Sequence, residues 1–382
     1  MKRENVIKIR WVTYWPVPYW TERFNVLAKR ENIDLEVIFL SSASALLPSS
    51  VDKTNWQFRY KIVRSEHAKS GYYRVNRRLP KPMTLVRGDF SILIMPYGDP
   101  DCVAASILCA ALHKKYWIFS ANNSFDWRPS STLREKLKHF IFQHSSGVLA
   151  TGPSQKSYAL GYMENPAMIH IIGNPAPALK GLEELGGNDG RSAVRSKLGW
   201  GDEFVILYVG RVSKEKGLNT LVRALEELAT KNVASRTVIV GSGPLEADLK
   251  SAAKTRGLNV EFMGFREGVD LTEVYLAADV FVLPSTSEPW GLVVNEAMEA
   301  GLPVVVSDKV GSQQALVREG QNGLIFQAED ASALAQSILR LYKRRSELGD
   351  MSEKAREIIK LHTIEVWANN VINAVGPMNL ER

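Results

Sequence analysis

Short apolar runs alternate with segments of helical spacing along the whole chain. In the first half, Ile7 to Val12, Leu35 to Leu40, Phe90 to Met95, Tyr116 to Phe119, Gly147 to Ala150 and Met168 to Ile172 predict strands, each ending in a polar or Gly/Pro break. Between them, Thr21 to Arg30, Asp101 to His113, Thr132 to Gln143 and Ser154 to Gly161 predict helices. This is the βαβ rhythm of an α/β, doubly wound sheet. Pro175-Ala176-Pro177, Gly181 and the Gly186 to Gly190 cluster break the pattern and read as a linker. The rhythm then restarts with Phe204 to Val209, Thr237 to Val240, Val260 to Met263, Val280 to Leu283, Val304 to Val306 and Gly323 to Ile325. Three helices close the chain, Ala331 to Tyr342, Ser352 to Ile359 and Ile364 to Val375. The expected division is a Rossmann-like domain over 1–178, a second over 191–360, and a terminal helix within 361–382.

A length of 382 residues, beyond the usual size of one core, agrees with two domains, and 45% hydrophobic with 23% charged residues is ordinary for a globular chain. No apolar run reaches the roughly 18 residues of a spanning helix. Met1 to Asn5 lead into a strand rather than a leader, so a cytoplasmic location is expected. Cys102 and Cys109, the only cysteines, lie seven apart in an Ala-rich helix and read as reduced core residues. No His, Cys or acidic cluster has metal-ligand spacing, so neither a metal nor another cofactor is expected.

The net charge of +7 hides an asymmetry: residues 1–180 hold 25 Lys and Arg against 13 Asp and Glu, and the remainder 23 against 28. Lys53 to Gly88 concentrates this, with ten basic residues, Arg74, Arg77 and Arg78 among them, against the single acid Glu66, and with Trp56, Phe58, Tyr60, Tyr72 and Tyr73 interleaved. Cations mixed with interfacial aromatics suit an anionic membrane surface on the inner face, or a lipid-diphosphate acceptor. The same composition would suit nucleic acid, but that partner gives the acidic and basic motifs of the second half no purpose and is not expected.

Those motifs carry the chemistry. After the strand Val280 to Leu283 come Ser285, Glu288, Pro289, Trp290 and Gly291, then Leu292, Val293, Val294 and Glu296 at helical spacing. The pattern predicts a strand, a bend and a helix N-terminus, an anion site made by the N–H groups of Leu292, Val293 and Val294, with Gly291 letting a ligand approach the backbone. Glu296 is placed to accept from ribose hydroxyls, and Glu288, before the bend, from a sugar ring. A helix whose carboxylates merely complement its dipole would account for Glu296 but not for Glu288 at the C-terminal end of a strand, where open α/β sheets bind ligands.

From Glu288 through Glu296 to Glu299-Ala300-Gly301-Leu302-Pro303, this stretch resembles the signature of the retaining glycosyltransferases of family 4. Three further motifs in the second half resemble the same family in the same order. Val209-Gly210-Arg211-Val212-Ser213-Lys214-Glu215-Lys216-Gly217 is similar to its strand-end loop, where Arg211 and Lys216 would clamp a diphosphate. Gly241-Ser242-Gly243-Pro244 is similar to its glycine turn, and Phe262 to Arg266 to its base-binding segment, with the nucleobase at Phe265 and Arg266. The resemblance implies the GT-B architecture, two Rossmann-like domains facing a cleft with the last helix crossing back to the first domain. It also implies a nucleoside-diphosphate sugar as donor, of uridine or guanosine, and a hydroxyl acceptor, with a lipid-linked saccharide or glycolipid precursor the expected class.

The first half departs from the family pattern. The loop Thr13 to Trp20 has no glycine, and the strand at Phe119 is followed by Ser120, Ala121, Asn122 and Asn123, where the family often has a histidine. Asn122 or Asn123 is the candidate to orient a donor hydroxyl from that place, with Tyr97-Gly98-Asp99 ending another strand on the same edge. These departures leave open a nucleotide-sugar-binding protein of transferase descent without turnover.

Overall fold

The computed structural model describes residues 6–41, 53–63, 82–123 and 132–376. The chain divides into two compact units, residues 1–177 together with 364–382, and residues 178–363.

The first unit contains β1 (Ile7–Thr13), α1 (Pro18–Ala28), β2 (Ile33–Phe39), β3 (Arg59–Ile62), α2 (Pro82–Val86), β4 (Ile92–Met95), α3 (Pro100–Ala111), β5 (Tyr116–Ser120), α4 (Thr132–Gln143), β6 (Gly147–Ala150), α5 (Pro153–Leu160) and β7 (Ile169–Ile171). Its strands form one sheet in the order β3-β2-β1-β4-β5-β6-β7, with parallel pairing. Every residue of β4 and β6 is buried, which is why these strands read as unbroken apolar runs. Strand β3 was not expected from the sequence. It lies at the sheet edge with Arg59, Tyr60 and Lys61 exposed, and is held by its register on β2 and by the pairs Arg59–Asp34 (2.6 Å) and Lys61–Glu36 (2.7 Å). An edge strand of this kind has no apolar signature to read.

The second unit contains α6 (Gly187–Lys197), β8 (Phe204–Val209), α7 (Leu218–Thr230), β9 (Ser235–Val240), α8 (Glu246–Thr255), β10 (Val260–Gly264), α9 (Gly268–Ala277), β11 (Val280–Leu283), α10 (Leu292–Glu299), β12 (Val304–Ser307), α11 (Gln313–Leu316), β13 (Gly323–Phe326), α12 (Ala331–Lys343) and α13 (Leu348–Ile359). Its parallel sheet runs β10-β9-β8-β11-β12-β13. Strand order reverses between β8 and β11, so their C-terminal ends flank the switch point at which open sheets leave a crevice. One boundary differs from expectation. The glycine cluster read as linker lies inside this unit, because residues 187–190 form the first turn of α6. Further along, Arg195 fixes that helix by donating to Gly201 O, Ala277 O and Glu203 O.

Helix α14 (Ile364–Val375) belongs to the first unit, where its apolar face packs on α1. Trp367 is 1% exposed, with ring centroids 5.6 Å from Trp11 and 6.3 Å from Trp20. Among the described residues no helix is long and apolar enough to cross a membrane. Cys102 and Cys109 are buried and unbridged on α3. Truncating Trp367 to alanine would leave a large cavity in an aromatic cluster, so the unfolding free energy of the first unit is expected to fall by about 3–5 kcal/mol. Urea titration followed by far-UV circular dichroism measures this; an unchanged transition would show that α14 is not integral to the unit.

Candidate active site

The loops at the C-terminal ends of β8, β9 and β11 are fitted together backbone to backbone. Gly210 N–H donates to Val240 O (2.9 Å), Val212 N–H to Ser242 O (3.0 Å) and Gly241 N–H to Gly264 O (2.7 Å). Gly217, at φ +67°, lies so close to Pro284 that a Cβ would fall on the proline carbonyl oxygen, and a Cβ at Gly243 would likewise strike Val212 O. Gly243, expected at the donor, is thus first a packing residue. Thr286 N–H completes the lacing with a 2.8 Å bond to Glu215 O. Only glycine permits such approach at a left-handed φ.

Glu288 is placed by this framework. Its N–H donates to Lys309 O (3.1 Å), its carbonyl accepts from Gly311 N–H (2.9 Å), and it forms an isolated parallel bridge with Val310. Only 9% exposed, its carboxylate pairs through Oε2 with the Lys216 ammonium. The pair joins the β8–α7 loop to the β11–α10 loop across 72 residues of sequence. Arg211, the other expected clamp residue, is exposed. Among the described residues its guanidinium makes no hydrogen bond or ion pair, while its carbonyl accepts from the buried Tyr208 hydroxyl (2.8 Å).

The bend into α10 is fixed by Trp290, whose Nε1 donates to Asn295 Oδ1 (3.0 Å), and by Gly291 at φ +89°. The structure corrects one expectation here. Val294 N–H is donated to Gly291 O (2.9 Å), because the helix opens with a tight turn, so of the three N–H groups expected to face an anion Val294 is already engaged. Glu296, one turn on, has Oε2 bound by the Tyr275 hydroxyl (2.8 Å), a partner that no sequence motif announces. Burial raises the Glu296 pKa above 4.5, and the Tyr275 bond only partly opposes this. Glu299, a turn further, accepts from Leu179 N–H (3.2 Å), which ties the start of the unit to α10. At the end of β10, Phe265 is 68% exposed beside the exposed Arg266, which donates to Phe265 O (3.2 Å), leaving an aromatic face open to solvent.

Of the sequence-derived residues, the structure brings Gly210, Lys216, Gly243, Glu288, Gly291, Leu292, Val293 and Glu296 to the strand ends around one switch point. Asn122 belongs to the first unit. It is exposed just beyond β5, whereas its neighbour Asn123 is buried. Asp99 has a structural role, capping α3 by accepting from Asp101 N–H at 2.8 Å. Most of the basic segment, including Arg74, Arg77 and Arg78, lies outside the described residues. Among those described, no three His, Cys, Asp or Glu side chains gather as a metal-ligand set.

Residues 191–358 match the family model of the glycosyl transferases group 1, which spans the laced loops, Glu288 and α10. The match lies within the second unit and makes that part of the chain similar to the group 1 glycosyl transferases. An uncharacterized glycosyltransferase of Methanocaldococcus jannaschii is 37% identical over 142 residues, 37% of this chain and 36% of the relative. The alpha-monoglucosyldiacylglycerol synthase of Acholeplasma laidlawii is 33% identical over 184 residues, 47% of this chain and 45% of the relative. The chain therefore spans less than half the length of these curated relatives. Among solved structures, Anabaena HepE in complex with UDP superposes with a TM-score of 0.77 at 17% identity, over 97% of this chain and 100% of that one. The fold of the chain is accordingly GT-B.

The Glu296 carboxyl supplies a test. A hydroxyl donates more strongly to the ionised Glu296 carboxylate than to the protonated acid, and the folded pKa lies above the ordinary value, so protonation weakens this bond in a pH range where an exposed glutamate stays charged. Affinity for UDP or GDP is expected to be constant above that pKa and to fall by up to about tenfold per pH unit below it. Glu296→Gln should bind weakly and without this pH dependence. Calorimetry over a pH series decides, and a wild-type affinity indifferent to acidification would remove Glu296 from the ligand.

Proposed function

We propose that this chain is a retaining glycosyltransferase that moves a sugar from a nucleoside diphosphate to a hydroxyl acceptor, with the donor held by the second unit. The observation that carries the reading is the Lys216–Glu288 pair at the β8/β11 switch point, beside the opening N–H groups of α10. In it, Lys216, Arg211, Leu292 N–H and Val293 N–H receive the diphosphate, Glu288 the transferred sugar and Glu296 the ribose. Phe265 offers its exposed face to the base. The ammonium has three donors, so Lys216 can keep its bond to Glu288 and still meet a phosphate oxygen.

The step consistent with these groups breaks the bond between the anomeric carbon and the leaving phosphate while the acceptor oxygen bonds that carbon on the same face. The acceptor's proton passes to the departing phosphate oxygen, which acts as base. Charge then grows on the leaving diphosphate, where cations and helix dipole are already aimed, and electrostatic preorganisation of this kind needs no covalent intermediate and, in this reading, no metal. The acceptor is assigned to the first unit, with Asn122 orienting a donor hydroxyl. A lipid-linked hydroxyl at an anionic membrane surface is favoured by the name of the Acholeplasma relative and by the basic, aromatic segment Lys53 to Gly88.

Replacing Arg211 or Lys216 with alanine should lower turnover by about 10²- to 10³-fold, the effect of removing one oxyanion donor, with folding intact. Near-normal turnover in both variants would sink the clamp. The stereochemical outcome tests the step itself. NMR of the first-formed product should show the donor's anomeric configuration, and an inverted anomer would require a general base that this reading does not contain.

A further inference from the structure

A second polar cavity lies at the other end of the same strands and helix. It has a volume of about 510 Å³ and is lined by Arg191 and Arg195 of α6, Asp279 before β11, Gly301 after α10, Arg345, and Arg356 of α13. At its centre the Asp279 carboxylate, 5% exposed, faces three guanidiniums, those of Arg191 (2.8 Å), Arg195 (3.2 Å) and Arg345 (3.6 Å). Asp279 also accepts from Val205 N–H (2.7 Å), so one anion serves three cations and a peptide.

The arginines divide into two kinds. Arg195 is consumed by structure, donating from every guanidinium nitrogen to carbonyls or to Asp279. Arg191 and Arg356 each engage one terminal nitrogen, on Asp279 and on Ala300 O (3.1 Å), and among the described residues their remaining N–H groups make no protein hydrogen bond. Arg345 reaches Asp202 O (2.6 Å) from the rim. Asp202 and Glu353 also line the cavity, both exposed, so four arginines still outnumber three carboxylates. Burial lowers the Arg191 pKa; Asp279 opposes this, and the neighbouring Arg195 and Arg345 add to it.

We infer that this cavity binds a phosphate-bearing anion, with Arg191, Arg345 and Arg356 donating to its oxygens. Planar guanidiniums converging with spare donors suit a phosphoryl group, and the excess positive charge around Asp279 is relieved by an anion. Arg356 already caps the carbonyl end of α10 at Ala300, so an anion here sits at the far end of the helix that starts at the donor site, about 12 Å along its axis. The two sites are separate in space and in residues.

The test measures binding of inorganic phosphate and of glycerol 3-phosphate to the whole chain by calorimetry and thermal shift, at ionic strength matched with chloride. Both probes should bind the wild type, free phosphate and a phosphomonoester being the two sources of the same chemistry; binding of one alone identifies the source and still supports the site. Arg191→Gln/Arg345→Gln should weaken it by about tenfold or more. Gly349→Glu gives a second route that keeps every arginine: Gly349 lines the cavity and a Cβ there meets nothing within 4 Å, so the variant adds a negative charge at the cavity wall and should weaken anion binding. With UDP saturating the proposed donor site, phosphate should still bind. Absence of binding to the wild type, retention of full affinity in Gly349→Glu, or loss when UDP is present would each overturn the inference, the last by relocating the anion to the donor site.

Discussion

Gly217 against the Pro284 carbonyl is the contact on which the site rests. It brings the loop after β8 onto the loop after β11, two strands that are neighbours in the sheet although their sequences are far apart. With that approach made, Thr286 N–H reaches Glu215 O and the Lys216 ammonium reaches Glu288. A side chain at position 217 would both clash and be strained at its left-handed φ, and the pair would separate. The chemistry of the loops therefore depends on an atom that is not there.

Electrostatics at the switch point is graded by burial. Lys216 and Glu288 are little exposed and neutralise each other, which limits the cost of holding charge in a crevice without a ligand. Arg211 stays in solvent, where its charge costs little. Glu296 is withdrawn behind Tyr275, and its raised pKa reports the desolvation it bears. Lys216, Glu288 and Glu296 are thus held by protein partners, as preorganised stabilisation requires, while Arg211 is not.

The first unit is organised by aromatic packing instead. Trp11, Trp20, Phe24 and Trp367 form one cluster, so the end of the chain is part of the core built by its beginning. Arg23, wholly buried between Tyr19 and Trp20, donates to Pro175 O and thereby holds the segment leading out of the unit. Burial depresses its pKa to about 9. The short, glycine-free Thr13 to Pro18 turn follows from the same cluster, because Val17 and Trp20 fill the space beside β1.

Local pattern was enough to define most elements. Parallel strands buried on both faces read as apolar runs, amphipathic helices carry their period in the sequence, and α4, α14, β8 and β11 lie at the expected residues. The order of the motifs likewise singled out Glu288, Glu296, Arg211 and Lys216, of which the structure pairs Lys216 with Glu288. Where structure arises between distant segments, the sequence was silent. Strand β3 exists through its register and ion pairs with β2, the first turn of α6 forms over glycines whose own propensity opposes a helix, and the Tyr275–Glu296 bond joins side chains 21 residues apart on α9 and α10. Val294 illustrates the limit at one atom: its position on the helix could be read from periodicity, but whether its N–H was free depended on how tightly the chain turned at Gly291. Sequence determined which groups are present and in what order. Only the tertiary fold decided which of them meet, because hydrogen bonds and ion pairs depend on ångström-scale approach that side-chain period does not encode.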